Sequence, residues 1–203
     1  MRVFIYLQAS ATRTLTLGGK GANSEILSIY TDSSHEEGPS LTGVLIVMGS
    51  AVIDWMCRRQ KSVMRSSTAA EAMANADGCD DGTYKRELAL EFGVKILSPV
   101  NFLSDSLSTV MLHKDYYTNN RSKHIARAIG VLREKILTKV YAMHHIPGAE
   151  NYSDIMTKPL PRVIFIAFRD AILEAKIVLD KVVALVQSKI AMFASKYARI
   201  EKQ

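Results

Sequence analysis

Cysteine is scarce in this chain of 203 residues: only Cys57 and Cys79 are present, too few for a disulfide framework or a four-ligand zinc site. A reducing compartment and two buried thiols are the simpler expectation. Long apolar runs are missing as well. Residues 1–11 imitate a secretory leader, ending in an Ala-Ser-Ala cleavage pattern, but the apolar core of the stretch is only five residues long, short of the usual leader. In the apolar C-terminal part, Lys176, Asp180, Lys181 and Lys189 interrupt any run approaching the roughly 20 residues needed to cross a bilayer. These absences predict a soluble protein that is not secreted and has no membrane partner. Internal repeats and low-complexity tracts are also lacking, and no Cys/His cluster competes for a soft metal.

What is present is a 48% hydrophobic chain with a net charge of +6, long enough for one domain with a sizeable core and an appended element. The basic balance suits a polyanionic partner, although basic proteins without nucleic-acid partners are common. A Gly-rich connector over 16–24 separates a short N-terminal segment from a domain starting near Glu25. Apolar and β-branched stretches predict strands over 26–32, 41–48 and 51–57, the last two joined by Gly49-Ser50 as a hairpin. From Ser67 to Phe92 the composition turns to Ala, Glu, Met and Leu, predicting a long helix opened by Ser/Thr caps. Gly78 and Gly82 each cost that helix about 1 kcal/mol, so packing must hold it there. A strand over 99–105, a helix from Ser106, a helix over 122–137 and a strand over 140–146 complete a mixed α/β pattern. Beyond it Leu179, Val183, Val186, Ile190, Phe193 and Tyr197 form a helical apolar stripe. That stripe either packs back on its own domain or mediates self-association.

Carboxylates at strand ends are the informative chemistry. Asp32 closes the first strand and Asp105 the fourth; each alone is equally a turn or cap residue. Parallel neighbours would bring both to one sheet edge, where their repulsion calls for a hard divalent cation, Mg²⁺ or Mn²⁺. Glu71, near the start of the long helix, and Asp154, after the fifth strand, read on their own as charges favoured at helix N-termini.

The order of short motifs supplies a resemblance. Residues 4–10 (FIYLQAS) are similar to a segment following a polymerase, "RYLKGT", and residues 15–17 to the run that follows. Residues 30–34 (YTDSS) resemble "YSDSD", 41–43 "STSG", 53–60 "ISWSSKKQ" and 66–74 (SSTAAEAMA) "SSTEAEYMA". Further on, 104–108 resemble "CDNQS", 121–125 with Arg133-Glu134 resemble "RTKHI" then "RE", and 145–147 with 153–160 resemble "YVP" then "ADILTKPL". In this order, over about residues 3–173, the motifs resemble the ribonuclease H domain of copia-type LTR retrotransposon Pol polyproteins, preceded by the end of the reverse transcriptase region.

The resemblance implies an α/β fold: a ribonuclease H-like mixed five-stranded sheet, three antiparallel strands then parallel ones, flanked by helices, plus a C-terminal helix. It implies a reverse transcriptase remnant over 1–24, the ribonuclease H-like domain over 25–160 and a helical extension over 161–203. It also implies cleavage of the RNA strand of RNA–DNA hybrids, with Asp32, Glu71, Asp105 and Asp154 as metal-holding catalytic positions. Two Mg²⁺ or Mn²⁺ ions, about 4 Å apart, would serve the attacking and leaving oxygens. Arg58, Arg59, Lys61, Arg121 and Lys123 are candidate phosphate contacts, each equally readable as a solvated surface charge. The reverse transcriptase of the same polyprotein would be a partner, in a cytoplasmic virus-like particle or the nucleus. Trp55 and Tyr84 stand at positions usually aromatic in the family, where core packing is expected; His124, His144 and His145 receive no role. Departures include Ser34 for a second Asp, Ser106-Leu107 for "NQ", and the acid- and glycine-rich run 77–82 inside the long helix, which could mark a decaying element copy. The rival reading is therefore an inert truncated or domesticated fragment that binds nucleic acid. Integrases and transposases, whose acidic order ends in Glu, fit less well.

Overall fold

Strand β1 (Leu27–Ser33) is buried along its whole length because it has a strand on each side and helices over both faces. The computed structural model describes residues 2–18, 25–34, 38–114 and 125–177. β1 pairs antiparallel with β2 (Leu41–Met48), which pairs antiparallel with β3 (Ala51–Arg59) through the Gly49-Ser50 turn. On its other edge β1 pairs parallel with β4 (Val100–Ser104), and β4 parallel with β5 (Tyr141–His145). The sheet order is β3-β2-β1-β4-β5. The mixed five-stranded sheet predicted from the sequence is thus the observed one, with strand ends shifted by one or two residues.

Period-2 alternation divides the core between two faces. Leu27, Ile29, Val44, Ile46, Val100, Phe102, Tyr141 and Met143 point to the face covered by the long helix α2 (Ser67–Glu91), together with α4 (Ala126–Leu137). Tyr30, Leu45, Val47, Val52 and Leu103 point to the other, packing with Tyr152, Met156, Ile172 and Ile177. That second face carries the short α5 (Asp154–Thr157) and α6 (Arg162–Leu173). Helix α3 (Leu107–Lys114) packs beside α4 and buries His113 fully, which lowers that imidazole to about 4 and keeps it neutral. The N-terminal helix α1 (Arg2–Ala9) lies against α6 through Tyr6 and Phe165, 5.8 Å between ring centroids, and Arg13 pairs with Asp170 at 3.0 Å. Among the described residues no helix is long and apolar enough to cross a membrane. The stripe from Leu179 to Tyr197 lies outside the described residues.

The glycines of the run 77–82 have a packing role. A Cβ on Gly78 would stand 2.5 Å from Thr31 Cγ2, and one on Gly82 would collide with Ile29 Cδ1, so both glycines let α2 press directly onto β1. The acids of the run turn outward: Asp77 pairs with Arg58 at 2.5 Å, Asp81 with Lys85 at 3.4 Å, and Asp80 is exposed. Ser66 caps the helix, its hydroxyl accepting from the Ala69 N–H.

Three expectations of burial are corrected. Cys57 is exposed, whereas Cys79 is buried as expected. Trp55 is 54% exposed because β3 is an edge strand whose outer part no described residue covers, and Tyr84 is 59% exposed on the solvent side of α2.

Replacing a helix-interior glycine by alanine ordinarily stabilises by about 1 kcal/mol. Gly82→Ala is predicted to do the opposite, losing about 1–2 kcal/mol through overpacking against Ile29. The urea midpoint measures it; a raised midpoint would show that α2 does not need this close approach.

Candidate metal centre

The parallel register Tyr30↔Leu103, continued two residues further, sets Asp32 beside Asp105 at the C-terminal ends of β1 and β4. Glu71 enters from the second turn of α2, above the same edge. One carboxylate oxygen each of Asp32, Glu71 and Asp105 lie within 4.8 Å of one another. Asp32 is fully buried and Glu71 is 8% exposed. Three elements distant in sequence therefore deliver three carboxylates to one point.

Asp154 joins this group through a cation of the chain itself. Lys158, one turn along from Asp154, places Nζ 2.9 Å from Asp154 Oδ1, 3.0 Å from Asp32 Oδ1 and 4.0 Å from Asp105 Oδ2. The last turn of α5 also brings the Thr157 hydroxyl to donate to Asp32 Oδ2. This close seating of α5 depends on Gly43, the β2 neighbour of Asp32. A Cβ there would stand 2.8 Å from Thr157 Cγ2 and 3.0 Å from the Ser153 carbonyl oxygen. Asn151, fully buried, donates from Nδ2 to the Thr31 carbonyl at 3.1 Å and to Asp105 Oδ1 at 3.2 Å, tying Asp105 to β1. The Ser33 N–H donates to Glu71 Oε1 at 3.3 Å. Lys158, Thr157 and Asn151 were missed as site residues; the i, i+4 spacing of Asp154 and Lys158 was the available signal for the first.

The electrostatics show excess negative charge. Glu71 is pushed up to about 8, first by burial and then by the charges of Asp32 and Asp105. Asp154 is pushed up to about 6, by burial and then by Asp32, with Lys158 pulling the other way. Burial raises Asp32 also, against the opposing hydrogen bond from Thr157 and the charge of Lys158. Burial would lower Lys158, but Asp154 and Asp32 outweigh it and hold the ammonium above the usual lysine range.

The donor set fits a hard divalent cation. It is all oxygen, and Glu71 Oε2 is buried without a hydrogen-bond partner among the described residues, a group whose desolvation a cation would offset. Asp32, Glu71 and Asp105 together can hold a metal ion.

Of the proposed phosphate contacts, Arg58 and Arg59 end β3 and Lys61 follows, lining a cleft with Gln60, Met73 and Asp77. Gln60 ties this cleft to the first turn of α2, donating from Nε2 to the Ala70 carbonyl at 2.9 Å. Arg121, Lys123 and His124 lie outside the described residues. His144 is buried, and His145 Nε2 donates to the Asp105 carbonyl at 3.0 Å in the tautomer that protonates it.

No family model matches the chain. It is 27% identical over 168 residues to the retrovirus-related Pol polyprotein from transposon RE2 of Arabidopsis thaliana, covering 81% of this chain and 11% of the relative. It is 26% identical over 175 residues to that from transposon RE1 of the same plant, covering 84% and 12%. Against that from transposon TNT 1-94 of Nicotiana tabacum it is 29% identical over 161 residues, covering 77% and 12%. The chain thus spans about an eighth or less of the length of these curated relatives. Among solved structures, an RNase H1 (LC11) isolated from compost superposes with TM-score 0.51 at 18% identity, covering 66% of this chain and 93% of that one. The same RNase H1 in complex with an RNA/DNA hybrid gives 0.50 at 17%, covering 64% and 93%. Homologues of the chain are therefore retrovirus-related Pol polyproteins of plant transposons, and its fold is that of ribonuclease H.

Between pH 4.5 and about 8 the folded chain holds a Glu71 proton that the unfolded chain has released. Stability in a chelating buffer is therefore predicted to fall as pH rises through that window. Glu71→Gln should remove most of this slope and be the more stable form at its upper end. Chemical denaturation across pH reads it, and a slope unchanged in the variant would contradict the assignment.

Proposed function

We propose that this chain is the ribonuclease H portion of a retrotransposon Pol polyprotein and hydrolyses the RNA strand of RNA–DNA hybrids. The observation that carries the reading is the convergence of Asp32, Glu71 and Asp105 from β1, α2 and the end of β4, with one buried glutamate oxygen left without a partner among the described residues. The Pol relationship of the homologues and the fold support it.

In this reading Asp32, Glu71, Asp105 and Asp154 hold two Mg²⁺ or Mn²⁺ ions. Bound there, the cations would supply Lewis-acid polarisation of the scissile phosphate and a hydrolytic nucleophile at neutral pH, leaving 5′-phosphate and 3′-hydroxyl ends. The side chains do the positioning. Asn151 fixes the Asp105 carboxylate, Thr157 fixes Asp32, and the Ser33 N–H fixes one oxygen of Glu71. These contacts hold the carboxylates in place before substrate arrives, so little reorganisation is needed at the reacting phosphate.

Arg58, Arg59 and Lys61 would meet backbone phosphates in the cleft they line with Gln60, Met73 and Asp77, a phosphate displacing Asp77 from Arg58. Arg121 and Lys123 are assigned the same role from the resemblance alone. RNA would be told from DNA by contacts to 2′-hydroxyls and by hybrid geometry. The reverse transcriptase of the same polyprotein would deliver the hybrid, with residues 1–24 as the end of its connection, 25–160 as the nuclease and 161–203 as a helical extension. The setting would be a cytoplasmic virus-like particle or the nucleus.

Incubating the full chain with an end-labelled RNA strand in a hybrid should give Mg²⁺- or Mn²⁺-dependent nicks. Asp32→Asn or Glu71→Gln should reduce them by about 10²-fold or more. Hybrid binding without nicking in either metal would favour an inert nucleic-acid-binding fragment.

A further inference from the structure

Lys158 is the feature of the site that metal-dependent hydrolysis leaves unexplained. Its ammonium stands within ion-pair distance of three of the four carboxylates, at 2.9, 3.0 and 4.0 Å. Two of these, Asp32 and Asp105, belong to the three-residue cluster that can hold a metal. We infer that Lys158 is a built-in counter-ion that occupies the carboxylate cluster before metal binds and is displaced from Asp32 and Asp105 when a divalent cation arrives. The inference rests on the metal-binding reading of the site and adds a residue that gates its loading.

The chemistry of the contact set requires a competition. A divalent cation bound by Asp32 and Asp105 and the ammonium now seated on them would be like charges a few ångströms apart, which repel at the effective dielectric of a protein surface. Both also approach the same carboxylate, of which Lys158 engages Oδ1 and Thr157 Oδ2. The side chain has somewhere to go. Lys158 is 38% exposed, whereas Asp32 is fully buried, so the ammonium approaches from the solvent side and can withdraw along it. A single turn away, Asp154, which lies outside the three-carboxylate cluster, is its holding point while that cluster takes the first cation, because the i, i+4 pair survives release of Asp32.

The arrangement also accounts for a problem of folding. Asp32, Glu71 and Asp105 come from elements separated by dozens of residues, and their charges oppose closure of α2 and β4 onto β1 unless a cation is present. An ammonium carried by the chain supplies that charge at any metal concentration. Loading then exchanges one cation for another instead of ordering a site from a repelling start. In this respect Lys158 positions ligands and does not touch substrate.

The test compares thermal unfolding of the full chain and of Lys158→Met in a chelator and in saturating Mn²⁺, with Mn²⁺ affinity measured by calorimetry. The variant should melt about 4 °C or more below the parent in chelator, recover in Mn²⁺, and bind Mn²⁺ about tenfold more tightly. Recovery by metal is the signature that lost packing would not give. Equal melting in chelator, an equal loss in both buffers, or weaker Mn²⁺ binding by the variant would each overturn the inference. Should the variant not fold in chelator, the parent serves: its Lys158 side-chain NMR signal, assigned with Lys158→Arg, should move toward the exposed lysines on Mg²⁺ addition, and an unmoved signal at saturation overturns the inference. A parent chain that binds Mn²⁺ and nicks hybrid while Lys158→Met behaves identically removes the counter-ion alone. A parent that binds no Mn²⁺ and nicks no hybrid removes the metal reading with it.

Discussion

Repulsion among the carboxylates at the end of β1 is the constraint on which the rest of the structure depends. Asp32 is fully buried, Glu71 nearly so, and Asp105 presents an oxygen within 4.8 Å of both. Three such groups cannot all ionise in a poorly solvated place without a cation. The chain answers in two ways: a raised Glu71, pushed up to about 8, keeps a proton, and Lys158 inserts an ammonium. A protein selected only for stability would avoid such a cluster, because burying and pairing charges seldom repays their desolvation. Its presence on a scaffold otherwise packed with Val, Ile, Leu and Phe is what marks the site as functional.

The scaffold is built to hold that cluster rigidly. β1 is central, so the position of Asp32 is determined from four directions, by β2, β4, α2 and α5. Close approach is bought with missing side chains. Gly78 and Gly82 seat α2, and with it Glu71, on one face of β1; Gly43 seats α5, and with it Thr157 and Lys158, on the other. Asn151 then joins β1 to Asp105 through two hydrogen bonds, the one to Thr31 buried and the one to Asp105 half-buried. Each of these residues acts on the site by setting a distance.

Much of this was legible in the sequence, for identifiable reasons. Apolar, β-branched composition and the Gly49-Ser50 turn located β2 and β3, and the parallel placement of β1 and β4 made Asp32 and Asp105 neighbours. The ordered motifs singled out Glu71 and Asp154, which spacing alone could not. What escaped is what tertiary packing decides. The two helix glycines read as defects because their partner surface, Thr31 and Ile29, lies some fifty residues earlier. Trp55 read as core because nothing local reveals that β3 is an edge strand, and Lys158 read as one letter of a motif because its three partners come from three elements.

Crystals soaked in Mn²⁺ and examined by anomalous scattering show whether Asp32, Glu71 and Asp105 form a divalent-metal centre. A peak bound by those three carboxylates, with Lys158 Nζ drawn away from Asp32, is the predicted result. Manganese found elsewhere, or none at saturating concentration with the ammonium still seated on Asp32, would contradict it.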